Sequence, residues 1–299
     1  MNPLIILGAT ATGKTRLAVR LAREHHGEII SVDSRQVYRG LDIGTGKDLE
    51  EYGAIPCHLI DILEPGEAFN LFEFQRLTLD LLPRIRQRGC LPILAGGTGL
   101  YLEAIIRGYP LAPAPLDPHL REELARLSDA QLAARLLTLK PEQHNTTDLE
   151  NRARMIRAIE IALAGPPPAT PPPLNPLILG VRLERSRLRE RIMQRLDARL
   201  ENGMIEEARG LLAKGVPHAT LIDLGLEYRF LAWHLQGEMT FATMREKLHQ
   251  AICQYAKRQE TWFRRMQRQG IPIHWLEADP DPYPQASDII GALPEKPLT

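Results

Sequence analysis

Short apolar runs alternate with amphipathic stretches along the first third of the chain. Leu4–Leu7, Glu28–Val32 and Leu91–Leu94 have the composition of strands, and a glycine or a carboxylate follows each of them closely. Arg16–Glu24 carries apolar residues on one helical face, and Leu71–Arg88 is also typical of a helix. Strands that alternate with helices indicate a parallel sheet covered by helices, so we predict an α/β fold. In such sheets the chemistry gathers beyond the carboxyl ends of the strands.

The pattern changes after the first hundred or so residues, where prolines become frequent. Leu120–Leu163 has a helical pattern without an evident strand, and Leu177–Val181 then resembles a returning core strand. The proline triplets at 166–168 and 171–173 predict that the helical region ends in a stiff, polyproline-like linker. We therefore expect an all-helical insertion within the core domain. The predicted division is a core of residues 1–111 and 176–299, and an insertion of residues 112–175.

The composition is that of an ordinary globular protein and does not indicate a binding partner. Apolar residues make up 44% and charged residues 25%, which is ordinary for a globular protein, and 37 basic residues balance 37 acidic ones. No apolar run approaches the ~18 residues of a membrane helix. Three scattered cysteines form neither a disulfide framework nor a metal-binding spacing, and the first motif begins at Gly8, so no targeting segment is expected. We expect a cytoplasmic protein without membrane contact.

A phosphate-binding loop follows the first predicted strand. The run GATATGKT fits G-x-x-x-x-G-K-[ST], the P-loop of nucleotide-binding and ATP-binding proteins, and it stands between a strand and a helix. Backbone N–H groups and the helix N-terminus would hold the phosphates, Lys14 would reach the outer phosphate, and the Thr15 hydroxyl would ligate Mg²⁺. The alternative is a glycine-rich turn without a ligand. The predicted phosphate-binding residues are Gly8, Ala9, Thr10, Ala11, Thr12, Gly13, Lys14 and Thr15.

Two further motifs follow the second strand and the later strand. Asp33 stands at the carboxyl end of the second strand, where a carboxylate near a P-loop is a candidate general base or Mg²⁺ ligand. The alternative is a carboxylate that only caps the next turn. Gly96 and Gly97 allow close backbone approach, and the Thr98 hydroxyl can donate a hydrogen bond. A tight strand-to-helix turn is the alternative there.

Together, five motifs resemble those of the tRNA dimethylallyltransferase family, also called tRNA isopentenyltransferases. The family patterns are GxTxxGK[ST], V-D-S-x-Q-V-Y, D-I-G-T, G-G-T-x-L-Y and A-K-R-Q-x-T-W-F-R. They match, in order, Gly8–Thr15, Val32–Tyr38, Asp42–Thr45, Gly96–Tyr101 and Ala256–Arg264. The resemblance extends over most of the chain and implies a P-loop NTPase-like fold.

The resemblance also implies an activity, a donor and an acceptor. The family transfers a dimethylallyl group from dimethylallyl diphosphate to the exocyclic N6 amine of an adenosine next to the anticodon of tRNA, releasing diphosphate. By this resemblance Asp33 takes the proton from the amine, while Lys14, the loop amides and Mg²⁺ stabilise the leaving diphosphate. Thr98 would contact its bridging or neighbouring oxygen. The P-loop would then stabilise a leaving group, without phosphoryl transfer.

Charge is unevenly distributed, and one stretch is a candidate RNA-binding surface. Between Arg245 and Gly270 there are seven basic residues and two acidic ones. A solvated helix face is the alternative for this stretch, as it is for the arginines of the insertion, where Arg154 and Arg157 match the family segment R-x-x-R-A-[IL]-E. The resemblance implies that Ser34 to Gln36 hold the unstacked adenine beside Asp33. The predicted tRNA-binding residues are Asp33, Ser34, Arg35, Gln36, Arg154, Arg157, Lys257, Arg258 and Arg264.

Two positions depart from the family pattern. Thr45-Gly46-Lys47-Asp48 stands where the family more often has T-A-K-P, and Ile222 stands where it often has an Arg or Gln that faces the diphosphate. Either Arg229 or another cation is expected to substitute at that place, or diphosphate binding is expected to be weaker. A divergent member of the family, or a paralogue with an altered substrate, would also show such departures.

Three other functions remain open at the level of sequence. One is a P-loop kinase of a small metabolite, with the insertion as a lid, and another is an adenylate isopentenyltransferase acting on free nucleotide. The third is a non-catalytic, nucleotide-dependent RNA-binding protein. The length of the insertion argues against the free-nucleotide enzyme, which generally lacks a substantial RNA-binding insertion. We expect a monomer that uses Mg²⁺, dimethylallyl diphosphate and the anticodon loop of tRNA.

Overall fold

The computed structural model describes residues 2–114, 117–140, 149, 151–165 and 170–292, and it contains one six-stranded, wholly parallel sheet. The strand order is β3-β2-β4-β1-β5-β6, so β1 lies between β4 and β5 in the middle of the sheet. This arrangement confirms the predicted α/β fold class. The strands are β1 (Leu4–Gly8), β2 (Gly27–Val32), β3 (Cys57–His58), β4 (Leu91–Gly96), β5 (Leu177–Arg182) and β6 (His274–Glu277).

Helices cover both the sheet and the turns at its edge. The core of the protein contains ten of the described helices, and three others belong to the insertion. The core helices are α1 (Lys14–Glu24), α2 (Leu49–Tyr52), α3 (Leu71–Gln87), α4 (Gly99–Arg107), α8 (Arg185–Glu201), α9 (Met204–Ala213), α10 (His218–Asp223), α11 (Leu226–Leu235), α12 (Phe241–Arg268) and α13 (Tyr283–Gly291). Among the described helices, none has an apolar stretch long enough to cross a membrane.

The four central strands are where the apolar runs predicted them. Every residue of β1 and β2 is buried, as expected for parallel strands that are covered on both faces. Helix α1 buries the face that carries Leu17, Leu21 and Ala22, and α3 begins at Leu71 as predicted. The Asn70 side chain caps α3 by accepting a hydrogen bond from the Glu73 backbone N–H at 3.1 Å.

The two edge strands were not predicted from the sequence. β3 contains only Cys57 and His58, both half-buried, and therefore has no apolar run to detect. In β6, Leu276 is the one fully buried residue among its four, because the strand lies at the edge of the sheet. Both strands form by pairing with a neighbour, an interaction that local composition does not encode.

The chain divides into two compact units, residues 1–106 with 174–299 and residues 107–173; the sequence prediction set these boundaries at 112 and 175. The smaller unit contains α5 (Pro118–Ala125), α6 (Asp129–Leu139) and α7 (Arg152–Leu163), and its described residues include no strand. Of the predicted polyproline linker, residues 166–168 lie outside the described residues. The core of the smaller unit consists of Leu124, Leu132, Leu136, Met155 and Ile159.

Three central strands bring the predicted motifs to one edge of the sheet. β1 ends at the P-loop, β2 ends before Asp33, and β4 ends before Gly97, and these strands are neighbours in the order β2-β4-β1. Since the strands are parallel, their carboxyl ends meet on the same side. The long helix α12 also reaches this edge, where the Gln259 side chain bonds to the P-loop.

Candidate active site

A cavity of about 310 Å³ opens at the carboxyl edge of the sheet. Its walls come from the P-loop, the turn after β2, the end of β4, and helices α8, α11 and α12. Several of the predicted site residues on the first two elements line it, namely Thr10, Lys14, Thr15, Asp33, Ser34, Arg35 and Gln36. The fold therefore brings the phosphate loop and the candidate base to one cavity.

The P-loop is shaped by steric requirements at its two glycines. A Cβ at Gly8 would lie 2.7 Å from the Val181 carbonyl oxygen, and Gly13 has a φ of 86°. The buried Thr12 hydroxyl donates to the Ala9 carbonyl oxygen at 2.9 Å, so this threonine stabilises the loop itself. Ala11, with a φ of 61°, completes the turn. Helix α1 begins directly after Gly13 and directs its N-terminus at the cavity.

The Lys14 ammonium group is held at the edge of the P-loop. It donates to the Ala9 carbonyl oxygen at 3.3 Å, and its side chain lines the cavity. The side chain as a whole is only half-buried, but its charged end is well enclosed by protein. This burial, reinforced by the positive charge of Arg195, lowers the pKa of Lys14 to about 8, while the negative charge of Asp33 acts in the opposite direction. Burial is therefore the main reason why the pKa of Lys14 is low, since the nearby carboxylates and guanidinium groups act on it in opposite directions.

The geometry of the Asp33 carboxylate is compatible with both of the roles that the sequence left open. Its Oδ1 atom accepts hydrogen bonds from the backbone N–H groups of Arg35 at 2.8 Å and Gln36 at 3.3 Å, so it caps the turn. Its Oδ2 atom has no hydrogen-bond partner within the described parts of the chain. Because the turn fixes Oδ1, the carboxylate is oriented, and its second oxygen is available to a bound group in the cavity.

Gln36 is fixed by contacts inside the protein. Its Oε1 atom accepts from the Ser31 hydroxyl at 2.8 Å, and its Nε2 atom donates to the Gly46 carbonyl oxygen at 3.1 Å. Although Gln36 lines the cavity, its amide thus connects β2 to the loop that follows. The predicted contact with a base falls more naturally on Ser34 and Arg35, which also line the cavity.

The loop Asp42–Asp48 is fixed next to the cavity by hydrogen bonds and ion pairs. The fully buried Lys47 ammonium group donates to the Tyr38 carbonyl oxygen at 2.8 Å and pairs with Asp42 at 2.6 Å and with Asp61. At the start of the loop, Glu207 accepts from three consecutive backbone N–H groups, at 2.7 to 2.9 Å. The D-I-G-T motif in this loop is therefore explained by local structure.

The glycine turn after β4 is packed too tightly for side chains. A Cβ at Gly96 would overlap the Val32 carbonyl group, one at Gly97 would overlap the Gln259 amide, and one at Gly99 would overlap the Trp262 ring. Gly96 and Gly97 line the cavity, but Thr98 is not among its lining residues. The Thr98 carbonyl oxygen accepts hydrogen bonds from the backbone N–H groups of Tyr101 and Leu102 in the first turn of α4. In this conformation Thr98 lies next to the cavity, with its side chain half-buried.

Three charged residues of the cavity wall were missed by sequence reasoning. Arg195 and Arg199 lie one turn apart on α8, and Glu227 comes from α11. Burial raises the pKa of the Glu227 carboxyl, and the nearby Arg199 charge opposes that rise. The only available signal was the i, i+4 spacing of the two arginines beside an apolar stripe, a pattern that usually marks a solvated helix face.

Among the described residues there is no group of three or more His, Cys, Asp or Glu side chains arranged to hold a metal ion. Thr15 and Asp33 nevertheless line the same cavity. A cation beside a P-loop takes most of its ligands from phosphate oxygens and water, so it needs few ligands from the protein. The oxygen atoms of this pair are therefore suited to Mg²⁺.

The predicted basic surface of α12 is exposed. Lys257, Arg258 and Arg264 all point to solvent, and the first two line a shallow groove together with Trp262 and Arg265. Trp262 is half-buried and carries the Arg265 guanidinium over its ring at 4.0 Å. Arg264 forms a 3.3 Å ion pair with Glu260 on the same helix.

The two predicted arginines of the insertion differ in their surroundings. Arg154 is exposed, whereas the Arg157 guanidinium donates to Glu160 at 2.9 Å and to the Ala114 carbonyl oxygen at 2.8 Å. Arg157 therefore stabilises the packing of α7, where it shares the buried Glu160 carboxylate with Arg121. Arg154 is the one of the pair whose charge faces solvent.

Comparison with known proteins relates this geometry to a family. The family model described as IPP transferase matches residues 36–266, and that described as isopentenyl transferase matches residues 1–52. The chain belongs to the IPP transferase family. A relative from Syntrophotalea carbinolica, named tRNA dimethylallyltransferase 2, is 56% identical over 94% of this chain and 96% of its own length. One from Geotalea uraniireducens, named tRNA dimethylallyltransferase 1, is 55% identical over 98% and 99%.

Solved structures of IPP transferases share this architecture. The full-length tRNA isopentenylpyrophosphate transferase of Bacillus halodurans is 36% identical, with a TM-score of 0.71 over 97% of this chain and 95% of that one. A eukaryotic dimethylallyltransferase described as acting on tRNA is 23% identical, with a TM-score of 0.80 over 98% and 80%. The second likeness concerns the fold alone.

Proposed function

We propose that this protein transfers a dimethylallyl group from dimethylallyl diphosphate to the exocyclic N6 amine of a tRNA adenosine next to the anticodon, releasing diphosphate. The family to which the chain belongs fixes the general reaction, the transfer of a dimethylallyl group to an adenosine of tRNA. The donor, the position of the adenosine and the roles of single residues are parts of the proposal.

One observation carries the proposal: Lys14 and Asp33 line the same cavity and interact electrostatically within it. A cation at the end of a P-loop is suited to a departing diphosphate, and a fixed carboxylate beside it is suited to a proton on the incoming amine. The two groups have opposite tasks in one substitution, so the reaction needs them on the two sides of a single carbon atom.

The Asp33 carboxylate would act on the acceptor. The adenine amine is a poor nucleophile because its lone pair is delocalised into the ring, and alkylation would leave it cationic. As the bond from N6 to the allylic carbon forms, the carboxylate accepts a proton from the amine. The orientation of Asp33 by the Arg35 and Gln36 amides supports this role, because it leaves Oδ2 for the proton.

The P-loop would act on the leaving group. The bond between the allylic carbon and the diphosphate oxygen breaks, and negative charge builds up on the phosphate oxygens. Lys14 and the N-terminus of α1 stabilise that charge. Mg²⁺, held by Thr15 and the phosphate oxygens, would neutralise part of it when bound. Thr98 would contact an oxygen of the donor. Its side chain has to turn towards the cavity to make this contact.

Exposed cations of the core and of the insertion would bind the acceptor. Lys257, Arg258 and Arg264 on α12 and Arg154 on α7 are suited to RNA phosphates. Unpaired bases of an anticodon loop can be unstacked at low cost, which favours a loop nucleotide as the acceptor. We also propose that the protein works in the cytoplasm, where tRNA is its substrate, and that it acts as a monomer.

The proposal is tested by incubation of the protein with unmodified tRNA, dimethylallyl diphosphate and Mg²⁺, followed by mass analysis of the nucleosides. The expected result is one adenosine heavier by a five-carbon group, and no product when Mg²⁺ is removed by a chelator. Parallel arms replace tRNA by AMP, or the donor by labelled ATP. Faster transfer to AMP, or transfer of phosphate from ATP to an acceptor, would contradict the proposal.

A further inference from the structure

Arg199 is an unusual arginine within the cavity wall. Its Nη2 atom is buried and has no hydrogen-bond partner among the residues that the structure describes. Burial and the neighbouring Arg195 charge lower the pKa of the Arg199 guanidinium to about 10, although the Glu227 and Asp48 charges act in the opposite direction. A buried guanidinium nitrogen without a hydrogen-bond partner is costly, which makes this atom a candidate to bind an anion in the cavity.

The neighbouring Arg195 is placed differently. Its Nη2 atom pairs with the Asp48 carboxylate, and it too lines the cavity. Other partly exposed arginines of the core also end on carboxylates, as Arg245 does on Asp197 at 2.6 Å. Arg199 has no carboxylate at ion-pair distance within the described chain. Arg199 is therefore the cation of α8 that remains available to an anion in the cavity.

Gly46 is the residue that allows the Arg199 guanidinium to enter. A Cβ at Gly46 would overlap the Arg199 Nη2 atom and lie 2.5 Å from its Cζ atom, so the guanidinium rests directly on the glycine backbone. Gly46 has a φ of 60°, in the left-handed region, which also favours glycine. Gly46 and Asp48, two departures from the family pattern, thus contact Arg199 and Arg195 respectively.

Lys14, Arg195 and Arg199 form a cluster of three cations in this cavity. All three side chains line the cavity, and both arginines act electrostatically on the Lys14 ammonium group and help to lower its pKa. A planar guanidinium can donate two parallel hydrogen bonds to one phosphate, while the ammonium group contacts another. The ligand that suits this cluster is a diphosphate.

We propose that Arg199 binds the diphosphate of the donor directly and that Gly46 is required to admit it. Arg199 then takes the place left by Ile222, where the family often has a diphosphate-facing Arg or Gln. Arg229 is less suited to that task, because its Nε atom donates to the Ile222 carbonyl oxygen at 3.1 Å. The identity of the diphosphate rests on the proposed function, whereas the anion site itself does not.

The test measures binding of inorganic diphosphate with Mg²⁺ and of dimethylallyl diphosphate, by calorimetry, without tRNA. Arg199→Met is expected to weaken both by about 10- to 100-fold, the range for charged hydrogen bonds. Arg199→Lys should lose less. The control is Arg189→Gln, which removes an exposed cation from the same helix and should change neither affinity. Unchanged affinity in Arg199→Met would overturn the proposal.

Two further measurements separate binding from a structural role. Arg199→Met should raise the Tm of the protein without added diphosphate by about 2–4 °C, because it removes a buried guanidinium nitrogen that has no hydrogen-bond partner in the described chain. A fall in Tm together with intact binding would mean a structural arginine. Gly46→Ala should weaken diphosphate binding in the wild type but add little loss in the Arg199→Met background. Additive losses would contradict the role of Gly46.

The outcome can be distinguished from failure of the proposed function. If the wild type binds diphosphate through Arg199 but transfers nothing to tRNA, the reaction is wrong and the anion site stands. If Arg199→Met binds diphosphate normally but loses affinity for tRNA, Arg199 contacts RNA phosphate and the present proposal fails.

Discussion

The side chain of Gln259 accepts a hydrogen bond at 2.9 Å from the backbone N–H of Thr10 in the P-loop. Its Nε2 atom donates at 2.9 Å to the Gly97 carbonyl oxygen, so one buried amide joins the P-loop to the turn after β4. Gln259 belongs to α12, the helix that presents Lys257 and Arg258 to solvent. The basic surface and the phosphate loop are therefore connected through a single rigid element.

Replacing Gln259 by leucine should loosen the P-loop. The change leaves the Thr10 N–H and the Gly97 carbonyl without a partner from α12, so we expect diphosphate affinity to fall by about tenfold, as for one or two buried hydrogen bonds. Calorimetry with dimethylallyl diphosphate measures this. Gln254→Leu, at an exposed position of the same helix, is the matched control. Equal affinities in the two variants would contradict the link.

The affinity for the donor should fall as the pH rises through about 8. The free protein has a Lys14 pKa lowered to about 8 by burial, and a bound diphosphate favours the charged amine, so binding takes up a proton above that pH. The last proton of a phosphate monoester is lost lower, near pH ~6, and does not confuse this window. The measurement is the Kd of dimethylallyl diphosphate across a pH series that brackets the Lys14 pKa.

Lys14→Met provides the control for that pH profile. It should bind the donor weakly at every pH of the series and show no decline centred on the Lys14 pKa, because no amine titrates at this position. A wild-type affinity that is constant across the range would show that Lys14 stays charged in the free protein.

The central strands, the flanking helices and the P-loop could be predicted because local pattern decides them. An apolar run such as Leu4–Leu7 has to be buried, and a P-loop glycine such as Gly13 is needed for its positive φ. The edge strands and the arginines of the cavity could not be predicted, because their positions depend on which other parts of the chain pack against them. In the sequence Arg199 resembles a surface residue, and only the structure shows that its guanidinium packs against Gly46.

The sequence alone also does not distinguish an exposed arginine from one that is paired inside the protein. Arg154 and Arg157 share one motif, but only the structure shows that Arg157 donates to Glu160 and to the Ala114 carbonyl oxygen. For the same reason the sequence does not reveal that the amide of Gln36 connects β2 to the next loop. The Ala114 and Gly46 carbonyl partners are distant along the chain, and spacing does not reveal them.

The pair Arg154 and Arg157 gives a prediction that separates RNA binding from stability. Arg157→Ala should lower the free energy of unfolding by about 1–3 kcal/mol, because it leaves a buried carboxylate with fewer partners. Arg154→Ala should leave stability within about 0.5 kcal/mol, as is usual at exposed sites, and weaken tRNA binding. Denaturant titration and a filter-binding assay measure the two effects. The opposite assignment of effects would contradict the structure.

Arg258→Ala should weaken tRNA binding and reduce its salt dependence. Loss of one phosphate contact is expected to lower the slope of log K against log salt by about 1, while the affinity for dimethylallyl diphosphate stays unchanged. Arg209→Ala, at an exposed arginine of α9 paired with Glu206, serves as the control and should keep the wild-type slope. A parallel loss of donor affinity in Arg258→Ala would show that the two surfaces are not separate.

The central claim is that Asp33 removes the proton of the adenine amine beside the Lys14 phosphate site, and Asp33→Asn tests it most directly. The amide keeps an Oδ1 acceptor for the Arg35 and Gln36 N–H groups but cannot take a proton. The measurement is single-turnover transfer to unmodified tRNA, with donor affinity determined alongside. We predict a rate lower by about 10²- to 10⁴-fold with nearly unchanged donor affinity. Transfer at the wild-type rate would contradict the account.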